Sequence, residues 1–321
     1  MSNPVRWGVL GCARVFERRM VPGFASAPNA ELLAVASRME EKAKATAEKH
    51  GIPRAYGSYE ALLEDQEIDA VFIPLPNDLH AEWTWKALDA GKHVLCDKPL
   101  ALSLEDAEES AVLAKERELR LMEGFMFRHH PQHARIHALV AEGVIGTPTR
   151  FEASFCYPAA RDLTNIRYQA ERGGGALLDV GVYGINAARW YLGEPDGGHV
   201  FSKFDEEAEV DVASLISLHF PNDTLASIAC SFGEAFSSTY TIIGSEGRIT
   251  AERGFQVGEK GVGIRIRAHN SDEKTVETFP HLDQYGCWRL STFRVRLNPD
   301  KRLEPGEDGV EQARTIEALL G

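Results

Sequence analysis

The amino-terminal part of the chain, up to about Gly124, alternates short apolar runs with helical stretches. This alternation constrains the fold more than any other feature, because short strands that are apolar throughout are typical of a parallel sheet buried on both faces. The pattern predicts an α/β domain built on a doubly wound parallel sheet. The predicted strands cover residues 6–10, 32–36, 70–73, 93–96 and 120–122.

Helix signals separate these strands. The helical segments 39–50 and 79–90 stop at Gly51 and Gly91, and glycine commonly ends a helix. Ser103 followed by Asp106 predicts the start of a third helix, because a serine side chain can cap the amide three residues later.

The pattern changes after Gly124. A predicted helix over 131–142 is followed by runs of alternating polarity and then by an amphipathic helix over 308–320. The alternating runs, 210–220, 224–232, 239–243 and 262–268, predict a large, mostly antiparallel open sheet. A chain of 321 residues is long enough for two domains. We expect a dinucleotide-binding Rossmann domain over 1–124 and an α+β domain over 125–321 for substrate binding and oligomerisation.

Charge and cysteine content exclude several classes of protein. The net charge of −13 argues against non-specific nucleic-acid binding, which needs clustered cations. No apolar run approaches the roughly 20 residues needed to span a bilayer, and no signal-peptide pattern begins the chain. Five scattered cysteines without a Cys-x-x-Cys pair predict reduced, mostly buried thiols. These features predict a cytoplasmic protein.

A glycine turn follows the first predicted strand. A helix that starts after such a turn presents free amide groups, which suit a pyrophosphate. The G-x-G-x-x-G pattern is incomplete, with alanine and phenylalanine at its second and third glycine positions, so an ordinary strand-to-helix turn stays an alternative. The predicted pyrophosphate contacts are Gly11, Cys12, Ala13, Arg14 and Val15.

The end of the second predicted strand distinguishes between two cofactors. NAD sites usually carry an acid there for the ribose hydroxyls, but this chain has Ser37 and Arg38, with no acid before Glu40. A hydroxyl and a guanidinium suit the 2′-phosphate of NADP. We therefore expect NADP to be preferred over NAD, with a solvated arginine as the alternative.

A cation ends the apolar run 93–96, because Lys98-Pro99 follows it almost directly. The carboxyl ends of parallel strands form the ligand crevice, and the proline keeps the residue before it extended, so Lys98 can face a substrate. Further along, three glycines precede Asp179 and Tyr183, which are spaced by one turn of a helix. The combination indicates a nicotinamide enzyme.

Five segments resemble the glucose-fructose oxidoreductase and inositol dehydrogenase (Gfo/Idh/MocA) family, over nearly the whole chain. They cover residues 5–14, 74–82, 96–99, 123–133 and 173–183. The resemblance is closest to the branch of NADP-dependent aldose dehydrogenases and nucleotide-sugar 3-ketoreductases, and residues 165–169 are especially like the ketoreductases. Two positions depart from the usual family pattern: Asp97 replaces a glutamate, and Tyr183 replaces the histidine of many members, as is usual in this branch.

The resemblance implies that the loop after the third predicted strand lines the nicotinamide ribose. Its residues are Leu75, Pro76, Asn77 and His80, and the alternative for His80 is an ordinary residue of a first helical turn. Asp97 and Lys98 complete the predicted cofactor contacts. Arg167 is expected to reach cofactor or substrate.

Hydride transfer between nicotinamide and a carbinol carbon requires a proton to move at the substrate oxygen. Tyr183 can transfer this proton if a cation, Lys98, stabilises its phenolate. Asp179 could orient Lys98 or bind a sugar hydroxyl. The alternatives are a buried tyrosine with a satisfied hydroxyl and an aspartate in a surface ion pair.

These residues predict an NADP-dependent oxidoreductase that acts on a secondary alcohol or ketone of a carbohydrate. A trans-dihydrodiol dehydrogenase and a non-catalytic NADP-binding regulator are the alternatives. The histidines at 129, 130, 133 and 137 lack a recognisable set of further ligands, so we expect no metal site. The segment 210–220 is apolar on both faces, which predicts a homodimer or homotetramer formed through the open sheet.

Overall fold

The computed structural model describes residues 4–257, 261–269, 275–280 and 305–321. The chain divides into two compact units. The first unit contains Met1–Met126 and Asp283–Ala313, and the second contains Phe127–Leu282 and Arg314–Gly321. A helix near the end of the chain therefore contributes residues to both units.

The first unit is built on six parallel strands in the spatial order β3-β2-β1-β4-β5-β6. This is the strand order of a dinucleotide-binding fold, and it confirms the predicted doubly wound sheet. The strands are β1 (Val5–Leu10), β2 (Ala30–Ala36), β3 (Arg54–Tyr56), β4 (Ala70–Ile73), β5 (His93–Cys96) and β6 (Leu121–Glu123).

Burial explains why most of these strands could be predicted. Every residue of β4 is buried, and Val9, Phe72 and Leu95 are fully inaccessible at the centre of the sheet. Strand β3 was not predicted, because its three residues are only half-buried and carry no apolar run.

Helices cover the sheet between successive strands. They are α1 (Val21–Ser26), α2 (Glu40–His50), α3 (Tyr59–Leu63), α4 (His80–Asp89) and α5 (Leu104–Glu116). Helix α2 ends at Gly51, which adopts the left-handed conformation that glycine favours. At the start of α5, the Ser103 hydroxyl oxygen accepts a hydrogen bond from the Asp106 amide at 3.1 Å, as predicted.

The second unit contains an eight-stranded sheet in the order β14-β13-β12-β11-β7-β10-β9-β8. Its pairings are antiparallel except for β7 and β10, which run parallel. This confirms the predicted mostly antiparallel sheet. The strands are β7 (Pro148–Cys156), β8 (Gly197–Asp205), β9 (Val210–His219), β10 (Leu225–Ser231), β11 (Ser237–Gly244), β12 (Gly247–Ala251), β13 (Val262–Ala268) and β14 (Thr275–Phe279).

Helices α6 (Pro131–Ala141) and α7 (Val182–Leu192) contact strands of this sheet. Part of the sheet is left open to solvent. Phe201 of β8 and Leu215 of β9 are cross-strand partners with 77% and 63% of their surface exposed, whereas Ile216, the next residue, is buried. The apolar residues on both faces of β9 therefore divide between the core and an uncovered surface.

Helix α8 (Pro305–Leu320) ends the described chain. Val310 and Ala313 of this helix belong to the hydrophobic core of the first unit, together with Leu100, Ala107 and Leu121. The apolar residues at 310 and 313 are thus explained by packing against a core whose other members lie far away in sequence.

The described cysteines Cys12, Cys96, Cys156 and Cys230 are buried free thiols, in agreement with the sequence. Cys287 lies outside the described residues. Within the described part of the chain, no helix has the length and apolar character required to cross a membrane.

The cap of α5 gives a test of how this helix is stabilised. Ser103→Ala leaves the Asp106 amide without its acceptor, so we expect a loss of about 0.5–2 kcal/mol in the free energy of unfolding. Ser103→Asn keeps a side-chain oxygen and should lose little. Urea denaturation followed by circular dichroism measures both variants, and an unchanged Ser103→Ala protein would contradict the assigned cap.

Candidate functional site

The turn after β1 has the geometry expected of a phosphate-binding turn. Gly11 has φ +112°, and a Cβ atom at this position would lie 2.9 Å from the Leu75 side chain, so only glycine fits. Its amide donates to the Ala36 carbonyl at 2.9 Å, and a helical segment begins a few residues later. Free amide groups at the start of this segment fit a pyrophosphate.

The departures from the glycine pattern have different consequences. Cys12 is buried at this turn and Arg14 is exposed. Phe16 stands at the third glycine position, where it is completely buried and begins the π-helical turn Phe16–Met20. Phe16 thus packs into the core at the position where a glycine would let the helix lie close to the strand.

At the carboxyl end of β2, Ser37 is buried and its hydroxyl oxygen accepts a hydrogen bond from the Met39 amide at 3.2 Å. Arg38 is exposed. Burial raises the pKa of Tyr59, and the nearby Arg38 guanidinium opposes this shift. Arg38 therefore lies close to the Tyr59 hydroxyl, at the edge of the sheet where a 2′-phosphate is expected.

The loop after β4 contains a short 3₁₀ turn, Asn77–Leu79, and leads to His80. The His80 ring is completely buried and contacts two backbone carbonyl oxygens. Nδ1 lies 2.6 Å from the Pro99 oxygen and Nε2 lies 2.9 Å from the Leu75 oxygen. His80 thus connects the loop after β4 to the loop after β5, and its contact with the cofactor stays a prediction.

The loop after β5 carries Lys98, which is partly exposed. The Asp97 amide donates to the Ile73 carbonyl at 3.1 Å, and the Lys98 amide donates to Asp97 Oδ1 at 3.0 Å. The Leu100 amide donates to Glu123 Oε1 at 3.0 Å. Glu123 was not predicted as a site residue. Its position at the carboxyl end of β6 is a sequence signal that could have identified it.

In the second unit, Asp179 contacts Arg167 and Tyr157. Asp179 Oδ2 accepts a hydrogen bond from the Tyr157 hydroxyl at 2.6 Å and from Arg167 Nε at 2.7 Å. The sequence predicted roles for Asp179 and Arg167 but did not pair them. Tyr157 was missed, since a tyrosine just after a strand carries no specific sequence signal.

The helix around Asp179 differs from the regular turn that was predicted. Leu177–Gly181 form a π-helical turn, and α7 begins only at Val182. A π turn holds more residues than an α turn, so Asp179 and Tyr183 are not related by ordinary α-helical geometry. Whether Asp179 orients Lys98 stays a prediction.

Electrostatics keep this cluster in a defined ionisation state. The charge of Asp179 raises the pKa of Arg167. Burial raises the pKa of Tyr157, and the adjacent Asp179 carboxylate adds to this shift. A neutral tyrosine and a positively charged arginine therefore share one carboxylate, and their donor groups are fixed in orientation.

Tyr183 has only 7% of its surface exposed and lies among aromatic rings. The ring centroids of Phe155, Phe255 and Phe127 are 5.2, 5.9 and 6.1 Å from its own. These contacts restrict the ring to one position, as a residue that transfers a proton requires.

The triple glycine before this helix is explained by close packing. A Cβ atom on Gly174 would lie 2.8–2.9 Å from three carbonyl oxygens of residues 166–169. Gly175 has φ +111° and packs against Asp211. Asp211 Oδ2 in turn accepts hydrogen bonds from the Leu177 amide at 2.8 Å and the Ser214 hydroxyl at 2.7 Å. Asp211 thus fixes the start of the helical segment that carries Asp179, although no sequence pattern indicated this residue.

The histidines considered as metal ligands have other contacts. His133 Nδ1 lies 2.7 Å from the Tyr240 hydroxyl, and the His137 ring stacks on Tyr191 with centroids 4.4 Å apart. Burial lowers the pKa of His133 well below its usual value. Across the described ranges, no three histidine, cysteine or acidic side chains are grouped in a way that could hold a metal ion.

Two family models match this chain. Residues 5–125 match the oxidoreductase family with an NAD-binding Rossmann fold, and residues 133–250 match the GFO/IDH/MocA C-terminal domain. Relatives with more than 30% identity extend over nearly the whole chain. The protein therefore belongs to the Gfo/Idh/MocA family of oxidoreductases, as the sequence motifs predicted.

Particular relatives define the part of the family to which the chain is similar. The dTDP-3,4-didehydro-2,6-dideoxy-α-D-glucose 3-reductase of Actinomadura kijaniata is 37% identical over 99% of this chain and 95% of the relative. A D-xylose 1-dehydrogenase (NADP⁺) of Haloferax volcanii is 33% identical over 98% and 95%. The crystal structure of the A. kijaniata 3-ketoreductase KijD10 with NADP and TDP-benzene superposes with a TM-score of 0.87, covering 99% of this chain and 97% of that one.

Asp211 provides a test of how the helix carrying Asp179 is held. Asp211→Ala removes the acceptor of a backbone amide and a buried hydroxyl, so we expect a loss of about 1–3 kcal/mol in the free energy of unfolding. Asp211→Asn retains an oxygen and should recover most of it. Urea denaturation of the three proteins makes the comparison, and equal losses in both variants would show that the carboxylate charge matters more than its acceptor oxygen.

Proposed function

We propose that this protein is an NADPH-dependent reductase of a keto-sugar, with a nucleotide-linked keto-sugar as the favoured substrate. The observation that carries the proposal is similarity to nucleotide-sugar 3-reductases over 99% of the chain, in a protein that retains Lys98 and Tyr183. A substrate-binding role for residues 125–321 follows from the same proposal.

The described residues fit a dinucleotide phosphate. Amide groups after Gly11 would hold the pyrophosphate, and Ser37 with Arg38 would hold the 2′-phosphate. Residues 75–77 and Asp97 would line the nicotinamide ribose. When bound, NADPH supplies a hydride to the carbonyl carbon.

The protein's own residues would handle the proton. Tyr183 donates its hydroxyl proton to the carbonyl oxygen that becomes the alcohol, and the Lys98 ammonium stabilises the phenolate that remains. In the second unit, Asp179 orients Arg167 and Tyr157. The remaining N–H groups of Arg167 would donate to substrate hydroxyls, and the Tyr157 oxygen, whose hydrogen goes to Asp179, would accept from them.

Oxidation of an aldose is the second candidate, favoured by the similarity to a xylose dehydrogenase over 98% of the chain. In this direction Tyr183 would accept the proton. A panel of dTDP-keto-sugars, free keto-sugars, aldoses and cyclic trans-diols, assayed through NADPH absorbance, separates these activities from a dihydrodiol dehydrogenase. Tight NADPH binding without turnover on any of them would favour a regulator instead.

The proposed proton transfer predicts the behaviour of two variants. Lys98→Met and Tyr183→Phe should each lower kcat by about 10²–10⁴, because general acid–base groups contribute this much, with NADPH affinity kept within a few-fold. The double variant should be scarcely worse than either single one if the residues act as a unit. Steady-state kinetics and fluorescence titration measure both quantities, and full activity in Lys98→Met would refute the mechanism.

Cofactor preference depends on Arg38 in this proposal. Arg38→Ala removes a charged partner of the 2′-phosphate, so NADPH affinity should fall about 10- to 100-fold while NADH affinity changes little. Calorimetric titration with both cofactors measures the difference. Equal losses for NADPH and NADH would show that Arg38 does not contact this phosphate.

We also propose that the open face of the second sheet forms a homodimer or homotetramer interface in a cytoplasmic protein. Phe201, Leu215 and Leu225 expose more than half of their surface there. Leu215→Asp should shift light scattering towards the monomer mass, whereas Val112→Asp on α5, exposed by 55%, should not. A monomeric wild-type protein at micromolar concentration would contradict this interface.

A further inference from the structure

Side chains hold the backbone at three consecutive residues, Lys98 to Leu100, and two of these side chains come from other parts of the first unit. The Lys98 amide donates to Asp97 Oδ1 at 3.0 Å, and the Leu100 amide donates to Glu123 Oε1 at 3.0 Å. Between them, the Pro99 carbonyl oxygen lies 2.6 Å from His80 Nδ1. Backbone groups at Pro99 and Leu100 are therefore fixed by His80, the first residue of α4, and by Glu123, the last residue of β6.

The His80 ring also reaches a second loop. Its Nε2 lies 2.9 Å from the Leu75 carbonyl oxygen, in the loop proposed to line the nicotinamide ribose. A carbonyl oxygen only accepts hydrogen bonds, so each contact favours an N–H on the ring. Complete burial favours the neutral ring and lowers its pKa, while the nearby Asp97 charge opposes this shift. The neutral ring carries one N–H and donates to one of the two carbonyl oxygens, whereas the protonated ring donates to both.

The hydrogen bonds described above for His80 and Glu123 are made to backbone groups of the two loops. His80 is completely inaccessible and Glu123 is 6% exposed, whereas Lys98 is partly exposed. Both side chains act on backbone groups and leave the lysine amine accessible. Their position is that expected of supporting groups, which set the geometry of a reacting residue without touching the substrate.

We propose that His80 and Glu123 are positioning residues, which together fix Lys98 relative to the cofactor loop that contains Leu75. Glu123 fixes the backbone at Leu100, on the carboxyl side of Lys98. His80 fixes the distance between the loop that contains Leu75 and the loop that contains Pro99. The kinetic part of this inference rests on the proposed function, but the position of Lys98 can be measured without any turnover.

The kinetic experiment compares variants that remove the contacts with variants that keep part of them. His80→Leu and Glu123→Leu should each lower kcat about 10- to 100-fold, because a small misplacement of a reacting group slows the reaction strongly. The pH profile of kcat should also shift, while NADPH affinity is retained. Glu123→Gln keeps the acceptor oxygen and should restore near wild-type kcat. His80→Asn keeps a donor towards Pro99 but not towards Leu75, so its kcat should be intermediate.

Lys92→Met is the matched control for lost stability. Lys92 is a buried residue just before β5, and its ammonium donates to the carbonyl oxygens of Asp65 and Ile68 at 2.8 and 2.9 Å. This variant also loses two contacts to backbone carbonyls, but at the opposite end of the strand. It should lower the unfolding midpoint and leave the pH profile of kcat unchanged.

A spectroscopic measurement reports on Lys98 independently of any sugar. After reductive ¹³C-methylation of the lysines, the resonance that is missing in Lys98→Arg identifies Lys98. Its chemical shift should move in His80→Leu and Glu123→Leu, move less in His80→Asn, and stay unchanged in Glu123→Gln and Lys92→Met.

The outcomes separate the two proposals. If wild-type protein turns over no substrate of the panel, the proposed function fails, and the lysine resonance alone decides the positioning roles. Unchanged resonance and kcat in both leucine variants would overturn the inference. If circular dichroism shows that these variants do not fold, a wild-type resonance in His80→Asn, or a strongly shifted one in Glu123→Gln, would overturn it instead.

Discussion

Parallel pairing of buried strands is the constraint on which the rest of the first unit depends. Because all six strands run in the same direction, their carboxyl ends come together at one edge of the sheet. The loops that follow β1, β2, β4 and β5 therefore gather there, although they are separated by tens of residues in sequence. Apolar burial supplies the stability of the sheet, and the predicted site residues of this unit lie at this edge.

In the second unit, the polar side chains of the candidate site are held by contacts with one another. Asp179 compensates the charge of Arg167 and accepts the hydroxyl hydrogen of Tyr157. The loop that carries Arg167 can approach the helical segment only because glycine occupies the points of closest contact. A local backbone requirement at Gly174 and Gly175 is thus coupled to the arrangement of charges.

The sequence predicted the central strands of the first sheet to within about two residues, because continuous apolar runs reflect burial on both faces. It did not predict β7. The neighbouring strands β10 and β11 begin only at Leu225 and Ser237, so no local pattern indicates the pairing. Among the site residues, Asp179 and Arg167 were identified separately. Their pairing, and the contribution of Tyr157 and Glu123, depend on tertiary contacts that spacing does not encode.

The loop that carries Lys98 packs against helix α8, which lies about 200 residues further along the chain. Gly309 of this helix packs closely against Leu100, two residues after Lys98, where a Cβ atom would lie 2.6 Å from the leucine side chain. Nearby, Val310 and Ala313 fill the core behind the same loop. The first unit is consequently not a contiguous stretch of chain. A fragment ending before this helix would expose the underside of the loop that presents Lys98, so the cofactor-binding half cannot be excised at the apparent domain boundary.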